Sequence, residues 1–270
     1  MLSQAAPVNV NKQFGSKMNP NQIFKNSLKI FIGTIAFVST FCTIIELMYF
    51  LSDPNYNKKV SISRDAWLSV SWSLLVNMIL LSLFILQHSL LAVSGVKSAI
   101  KNYGMQDLYR SFYVITTTAV LQILIRNWFN IPEVTLWKFN MNFRLFWWLY
   151  TTIHIIAWLI IYIGNICMDV NELIGIKQIY YSIINLPDPN SRKSYQLQRL
   201  NSHMRHPSFV AFLLIFWSVP IMSNFSLDRL LLATIFTLYM FISWTTDEND
   251  YAYQYSQYIR KFHELENLQS

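Results

Sequence analysis

Residues 66–93 read AWLSVSWSLLVNMILLSLFILQHSLLAV, running from Ala66 to Val93 without one Asp, Glu, Lys or Arg. A bilayer core about 30 Å thick takes roughly 20 mainly apolar residues as helix, because a backbone group left unpaired in hydrocarbon costs several kcal/mol. The stretch therefore predicts a membrane span. Composition agrees. Of the 270 residues, 53% are hydrophobic and only 13% charged, against about 25% charged in a soluble domain.

Five further segments approach the same length. Ile30–Leu51 is apolar apart from Glu46, which is expected to snorkel or to pair with a neighbouring helix. Ser111–Ile125 is short, but Arg110 and Arg126 can snorkel at its ends and let the helix run on to Trp128. Leu145–Met168 opens with Phe146-Trp147-Trp148, rings that favour the headgroup boundary. Pro207–Leu227 and Leu230–Thr246 are separated by Asp228-Arg229 alone, which predicts an antiparallel hairpin with Pro220 bending its first arm. Between Asp169 and Arg205, Leu173, Ile174, Ile176, Ile179, Tyr180, Ile183 and Ile184 recur at near-helical spacing around Lys177. This pattern suits an amphipathic helix lying in the interface, ended by the turn residues of Leu186-Pro187-Asp188-Pro189-Asn190.

The expected fold is thus all-α, a polytopic membrane protein with six transmembrane helices and one interfacial amphipathic helix. Residues 1–27 read as a polar, Asn-rich, disordered tail without the apolar core of a signal peptide. Residues 28–262 form the six-span domain, and 263–270 a short C-terminal tail. On a six-span path, 14 of the 21 Lys and Arg fall on the side of the two termini and seven on the other. The excess places both termini on the cytosolic or nucleoplasmic side. The sequon Asn224-Phe225-Ser226 then faces the lumen at the membrane boundary and is expected to stay unglycosylated.

Several function classes drop out. Six glycines form no phosphate-cradling pattern, and Cys42 and Cys167 cannot build a C-x-x-C pair or a disulfide framework. The net charge of +7 is spread thinly, its densest cluster being Lys58-Lys59, so direct nucleic-acid binding is not expected. Five histidines are too few for a membrane di-iron centre, and no H-E-x-x-H is present, so no metal site is expected. His154 is read as a neutral imidazole bonding a neighbouring helix.

The hairpin brings its inner ends together, so His203-Met204-Arg205-His206-Pro207 should lie beside Asp247-Glu248 across 40 positions of chain. Pro207 suits a first helical turn, and the free amides of that turn with Arg205 would attract a carboxylate or phosphate. The acidic pair could hold an ammonium group. Arg205, His206, Asp247 and Glu248 are therefore the candidate cofactor-binding residues, suited to a zwitterionic, amino-acid-bearing ligand; no catalytic residue is assigned. On spacing alone, contact of Arg205 and His206 with lipid headgroups explains the motif as well. Gln87-His88-Ser89, Asp169, Glu172 and Lys177 are candidates to join the same cluster.

The run Glu172-Leu173-Ile174-Gly175-Ile176-Lys177-Gln178-Ile179-Tyr180-Tyr181, with Gln87-His88-Ser89-Leu90, Arg110-Ser111-Phe112-Tyr113, His203–Pro207 and Leu230–Tyr239, closely resembles the nurim family. The resemblance implies a six-span, multi-pass protein of the inner nuclear membrane with both termini nucleoplasmic. As partners it implies the lipid bilayer and nucleoplasmic or lamina proteins; it leaves the biochemical activity open, and the departures from the enzyme pattern given below are what favour a protein without enzymatic activity or cofactor. Nurim in turn resembles isoprenylcysteine carboxyl methyltransferases, which carry Arg-His-Pro-x-Tyr-x-Gly entering one membrane helix and an acidic pair leaving the next. That likeness implies the alternative, an S-adenosylmethionine-dependent carboxyl methyltransferase acting on a membrane-embedded lipidated substrate. Arg205, His206 and Pro207 match the pattern and Asp247-Glu248 stands for the acidic pair, but Phe209 replaces the tyrosine and Ala211 the glycine.

Overall fold

The structure is a computed structural model that describes residues 19–53, 56, 66–137, 143–204, 208–223 and 225–269. All regular elements among these are helical: α1 (Pro20–Ser52), α2 (Ala66–Ala92), α3 (Ser94–Asn102), α4 (Tyr109–Asn127), α5 (Arg144–Cys167), α6 (Val170–Ile174), α7 (Ile176–Ile183), α8 (Tyr195–His203), α9 (Phe209–Ser223), α10 (Leu227–Ile242) and α11 (Glu248–Gln269), with a 3-10 turn at Pro189–Arg192.

Three helices are long and apolar enough to cross a bilayer, within α1, α2 and α5. The third, fifth and sixth expected spans are helical but fall short of that length or apolarity. α4 carries Arg110 and Arg126 near its ends, α9 has 15 residues and α10 has 16. α10 stops at Ile242 rather than Thr246. Asp228 and Arg229 belong to its first turns instead of forming the connection, the Ser226 backbone starting the helix.

The remaining expectations divide in the same way. The tail read as disordered turns helical at Pro20, which takes the first-turn position behind Asn19, whose side chain accepts from the Asn21 amide. The first 18 residues lie outside the described ones. The interfacial helix is two short helices, because Gly175 (φ 100°) ends α6 and begins α7. The C-terminal residues from Glu248 onward, read partly as span margin and partly as tail, form the 22-residue helix α11.

Helices α1, α2, α4, α5, α9 and α10 pack side by side. α4 lies against both α1 and α2, and α9 against α5 and α10. Glu46 near the end of α1 meets Arg126 near the end of α4, Oε1 to Nη2 2.5 Å, so these two run in the same direction, whereas Arg229 in the first turns of α10 donates to the Phe50 carbonyl near the end of α1, so α10 runs against them. Lys29 near the start of α1 instead reaches Asp107 and Ser182 beside the starts of α4 and the end of α7. Small residues let backbones approach: Ala36, Ala157, Ala211 and Ala233 are all at most 1% exposed. The core gathers Phe50, Leu81, Leu124, Ile125, Trp128, Ile215 and their neighbours. Outward-facing positions carry Phe31, Phe41, Leu75, Ile79, Ile156 and Ile163, a distribution that suits contact with lipid rather than water.

Several polar groups within this bundle are paired. Asn77, fully buried, donates to the Phe129 carbonyl (2.8 Å) and accepts from its amide (2.9 Å). His154 Nε2 accepts from Trp158 Nε1 at 3.0 Å and lies 2.7 Å from the Ser52 hydroxyl on α1, the interhelical role expected of it. At the end of the bundle where α4 stops, the Leu136 amide donates to the Phe225 carbonyl and the Phe225 amide to the Trp137 carbonyl, tying the segment after α4 to the entry of α10. Phe225 is buried and stacks on Trp137 at 4.4 Å, while Ser226 is bridged to Thr135. Asn224, the acceptor of the sequon, lies outside the described residues.

Candidate functional site at the inner ends of the helices

The hairpin of α9 and α10 places residues 203–204 and 244–247 together, as its short outer turn requires. Met204 and Trp244 form an antiparallel bridge, and the Thr245 amide donates to the His203 carbonyl at 3.3 Å. Arg205, His206 and Pro207 lie outside the described residues, so the basic half of the expected pocket has no geometry to report. The acidic half has.

Asp247 ion-pairs with Arg199 on α8, and its backbone carbonyl accepts from the Asp250 amide at the first turn of α11. Asp250, absent from the sequence reading, is the buried member of the group at 3% exposure. Its Oδ2 lies 2.5 Å from His203 Nδ1 and accepts from the Asp247 amide at 3.2 Å. A carboxylate only accepts, so Nδ1 donates. Glu248 is exposed, with no ion pair among the described residues. The cluster is therefore a clasp between α8 and α11, made by Arg199, His203, Asp247 and Asp250. The donor atoms of His203, Asp247 and Asp250 lie within 4.8 Å of one another, a spacing a metal ion could use, while Arg199 already supplies positive charge to both carboxylates.

The hydrogen bond from His203, reinforced by the Asp247 amide and by Arg199, holds the Asp250 carboxyl below its usual range despite burial. A carboxyl so depressed adds stability that is present above the ordinary carboxylate pKa and lost as pH falls through the lower folded value. The clasp is accordingly expected to hold at neutral pH and to loosen only below about pH 4. Amide exchange over Tyr251–Tyr255, corrected for intrinsic rates, should rise on acidification, and Asp250→Asn should raise it already at pH 7. Unchanged exchange in that variant would remove the clasp from the account.

Above the clasp the mouth of the hairpin is filled by rings. Phe209 packs 5.5 Å from Trp244 and 6.1 Å from Phe241, centroid to centroid, and Ala211 is fully buried. A hydroxyl at 209 and a bare backbone at 211 are thus replaced by a phenyl ring locked among aromatics and by a methyl group inside the core.

The other quoted motifs do not join Asp247; they meet one another. Arg110 Nε donates to the Leu173 carbonyl at 2.7 Å, its guanidinium 5.3 Å from the Tyr113 ring. A Cβ added at Gly175 would lie 2.5 Å from Ser111 Oγ and 2.7 Å from the Ser111 amide nitrogen, so the bare glycine is what lets α6 and α7 touch α4. Tyr113 Oη lies 2.9 Å from His88 Nδ1, and His88 stacks on Phe84 and meets the Tyr239 ring edge-on. Tyr239 Oη in turn lies 3.2 Å from the Ser89 hydroxyl. Gln87 donates to Thr116 at 3.0 Å. α2, α4, α6, α7 and α10 are joined at this junction.

Beside it, Lys177 bridges Asp169 (2.6 Å) and Glu172 (3.6 Å), and Lys193 holds the other oxygen of Glu172 at 2.5 Å. The Lys177 hydrogen bond keeps the Asp169 carboxyl below its usual range. An open polar cleft of about 560 Å³ lies nearby, lined in part by Lys29, Asp107, Gln178, Tyr181, Ser182 and Asp188. Burial works against the charge of Asp107, but Lys29 and the Ser182 hydroxyl (2.6 Å) outweigh it and hold the carboxyl below its usual range.

The family model described as NnrU protein matches residues 76–261. The Nurim homolog of Drosophila pseudoobscura pseudoobscura is 34% identical over 250 residues, covering 90% of this chain and 98% of its own. Nurim of Xenopus laevis is 36% identical with 86% and 85% covered, and nurim of Mus musculus 38% identical with 77% and 81% covered. The chain belongs to the nurim family. No solved structure matches it. The matched region of the family model takes in both the junction around Gly175 and the clasp around Asp250.

Proposed function

We propose that the protein is a six-span integral protein of the inner nuclear membrane, with both termini nucleoplasmic, that acts through contacts of its inner face and not through catalysis. The alternating packing of six helices supports the even number of crossings, and the two-to-one excess of Lys and Arg supports the orientation. α4, α9 and α10 cross by virtue of packing against the three longer helices, which lets short or charged helices sit in a bilayer. The bilayer and nucleoplasmic or lamina proteins are the partners in this reading, and nucleic acid is not.

One observation carries the non-enzymatic reading: Phe209 is locked between Phe241 and Trp244 at the mouth of the hairpin, where the methyltransferase pattern has a hydroxyl-bearing ring. Asp247, half of the acidic pair that would receive an ammonium, is engaged by Arg199. Glu248 with Arg205 and His206 would be left to hold S-adenosylmethionine, whose sulfonium would supply an electrophilic methyl group when bound.

Labelled S-adenosylmethionine added to the purified full chain is expected to show no saturable binding. Saturable binding abolished by both Arg205→Ala and Glu248→Ala would overturn the reading in favour of the methyltransferase. Tags at the two ends should be protected, or cleaved, together in sealed membranes; opposite outcomes at the two ends would remove the six-span topology.

A further inference from the structure

We propose that α11 is a dimerisation helix that pairs in parallel with α11 of a second copy of this chain. Tyr251, Tyr255, Tyr258, Phe262 and Leu265 follow one another at alternating intervals of four and three residues, the spacing of a coiled-coil seam. All five are more than half exposed. The opposite face carries Asn249, Ser256, Arg260, His263, Glu264 and Asn267, so the helix is two-sided. Its 22 residues span about 33 Å, three heptads in all.

Charge selects the occupant. With Tyr255 and Phe262 at the a positions, and Tyr251, Tyr258 and Leu265 at d, Lys261 falls at g and Glu266 at e. In a parallel pair the g residue faces the e residue five positions on in the partner helix, so Lys261 of each copy meets Glu266 of the other, twice across the two-fold. An antiparallel pair would match g with g and e with e, and offers no such complement. Two copies inserted the same way in one membrane present their α11 helices on the same side of it, where the pairing that the charges need can form. α11 itself carries four Asp and Glu against two Lys and Arg, which opposes attraction to an anionic lipid surface.

The test uses the full chain in isolated membranes, with Cys42→Ser and Cys167→Ser as background. Oxidation of Tyr258→Cys or Leu265→Cys is expected to give a covalent dimer, while Arg260→Cys on the outer face gives none. Lys261→Glu should weaken energy transfer between labelled copies about tenfold, and Lys261→Glu with Glu266→Lys should restore it. Equal cross-linking at residue 260, or failure of the double exchange to restore association, would overturn the proposal. Absence of cross-links together with quenching of a label at residue 258 by brominated lipid would overturn it too and assign the stripe to the bilayer surface.

Discussion

Asp228→Ala is expected to destabilise the folded protein by about 3–5 kcal/mol, the cost of leaving a buried charge without its partner. The side chain is 1% exposed, and its two oxygens accept from Trp128 Nε1 at 3.1 Å and from the Ile131 amide at 3.2 Å. Arg229 beside it is 3% exposed, donates to the Phe50 carbonyl at 2.8 Å, and sits 4.9 Å from the Phe50 ring. Truncation of Asp228 would strand two donors and remove the anion 3.8 Å from the guanidinium. Thermal unfolding in detergent, read by the tryptophans, measures the loss. Asp228→Asn, which keeps an acceptor but not the charge, should cost less than the alanine; stability unchanged by either substitution would mean that the carboxylate is not what holds this end together.

Gly175→Val should cost a further several kcal/mol and act at the other end of the bundle. Its φ of 100° strains any L side chain, and the first added carbon already meets Ser111 backbone at 2.7 Å. Backbone strain of about 1–3 kcal/mol adds to overpacking of similar size. The neighbour that must yield is backbone of α4, not a mobile side-chain tip. Gly95→Val, where a Cβ meets nothing within 4 Å, is the control and should cost nothing, since valine is the better helix former. Should the two variants unfold at the same temperature, the close approach of α6 and α7 to α4 would not be a determinant of the fold.

These sites also mark what could be read from the chain and what could not. The long apolar runs located the boundaries of α1, α2 and α5 within one residue, except that α1 starts at Pro20 and not Ile30, since hydrocarbon thickness imposes length directly. The hairpin was legible from the two-residue gap at Asp228-Arg229, and it brought 203–204 to 244–245 as expected. The burial of that dipeptide was not, because its partners Phe50, Trp128 and Ile131 are 97 or more residues away in the chain. Asp250 escaped for the same reason: its partner His203 is 47 residues away, and nothing in Asp247-Glu248-Asn249-Asp250 tells which carboxyl is inside. α11 was missed by reading its polar composition rather than its period, although the tyrosines at 251, 255 and 258 stand in plain order. Gly175 stood inside the motif that identified the family, but its reason for being glycine lies on α4.

The arms of the hairpin are short. At 1.5 Å per residue, α9 spans about 22 Å and α10 about 24 Å, against a hydrocarbon layer near 30 Å. On the proposed six-span path, Asp228 and Arg229 in the first turns of α10 would sit below the level of the surrounding headgroups, and the bilayer would thin around this side of the molecule while the 33-residue α1 on another side overshoots it. Such hydrophobic mismatch costs fractions of a kcal/mol per Å. On that path the protein is expected to partition toward thinner membranes by its shape alone, and one extra turn in each arm should relax that preference.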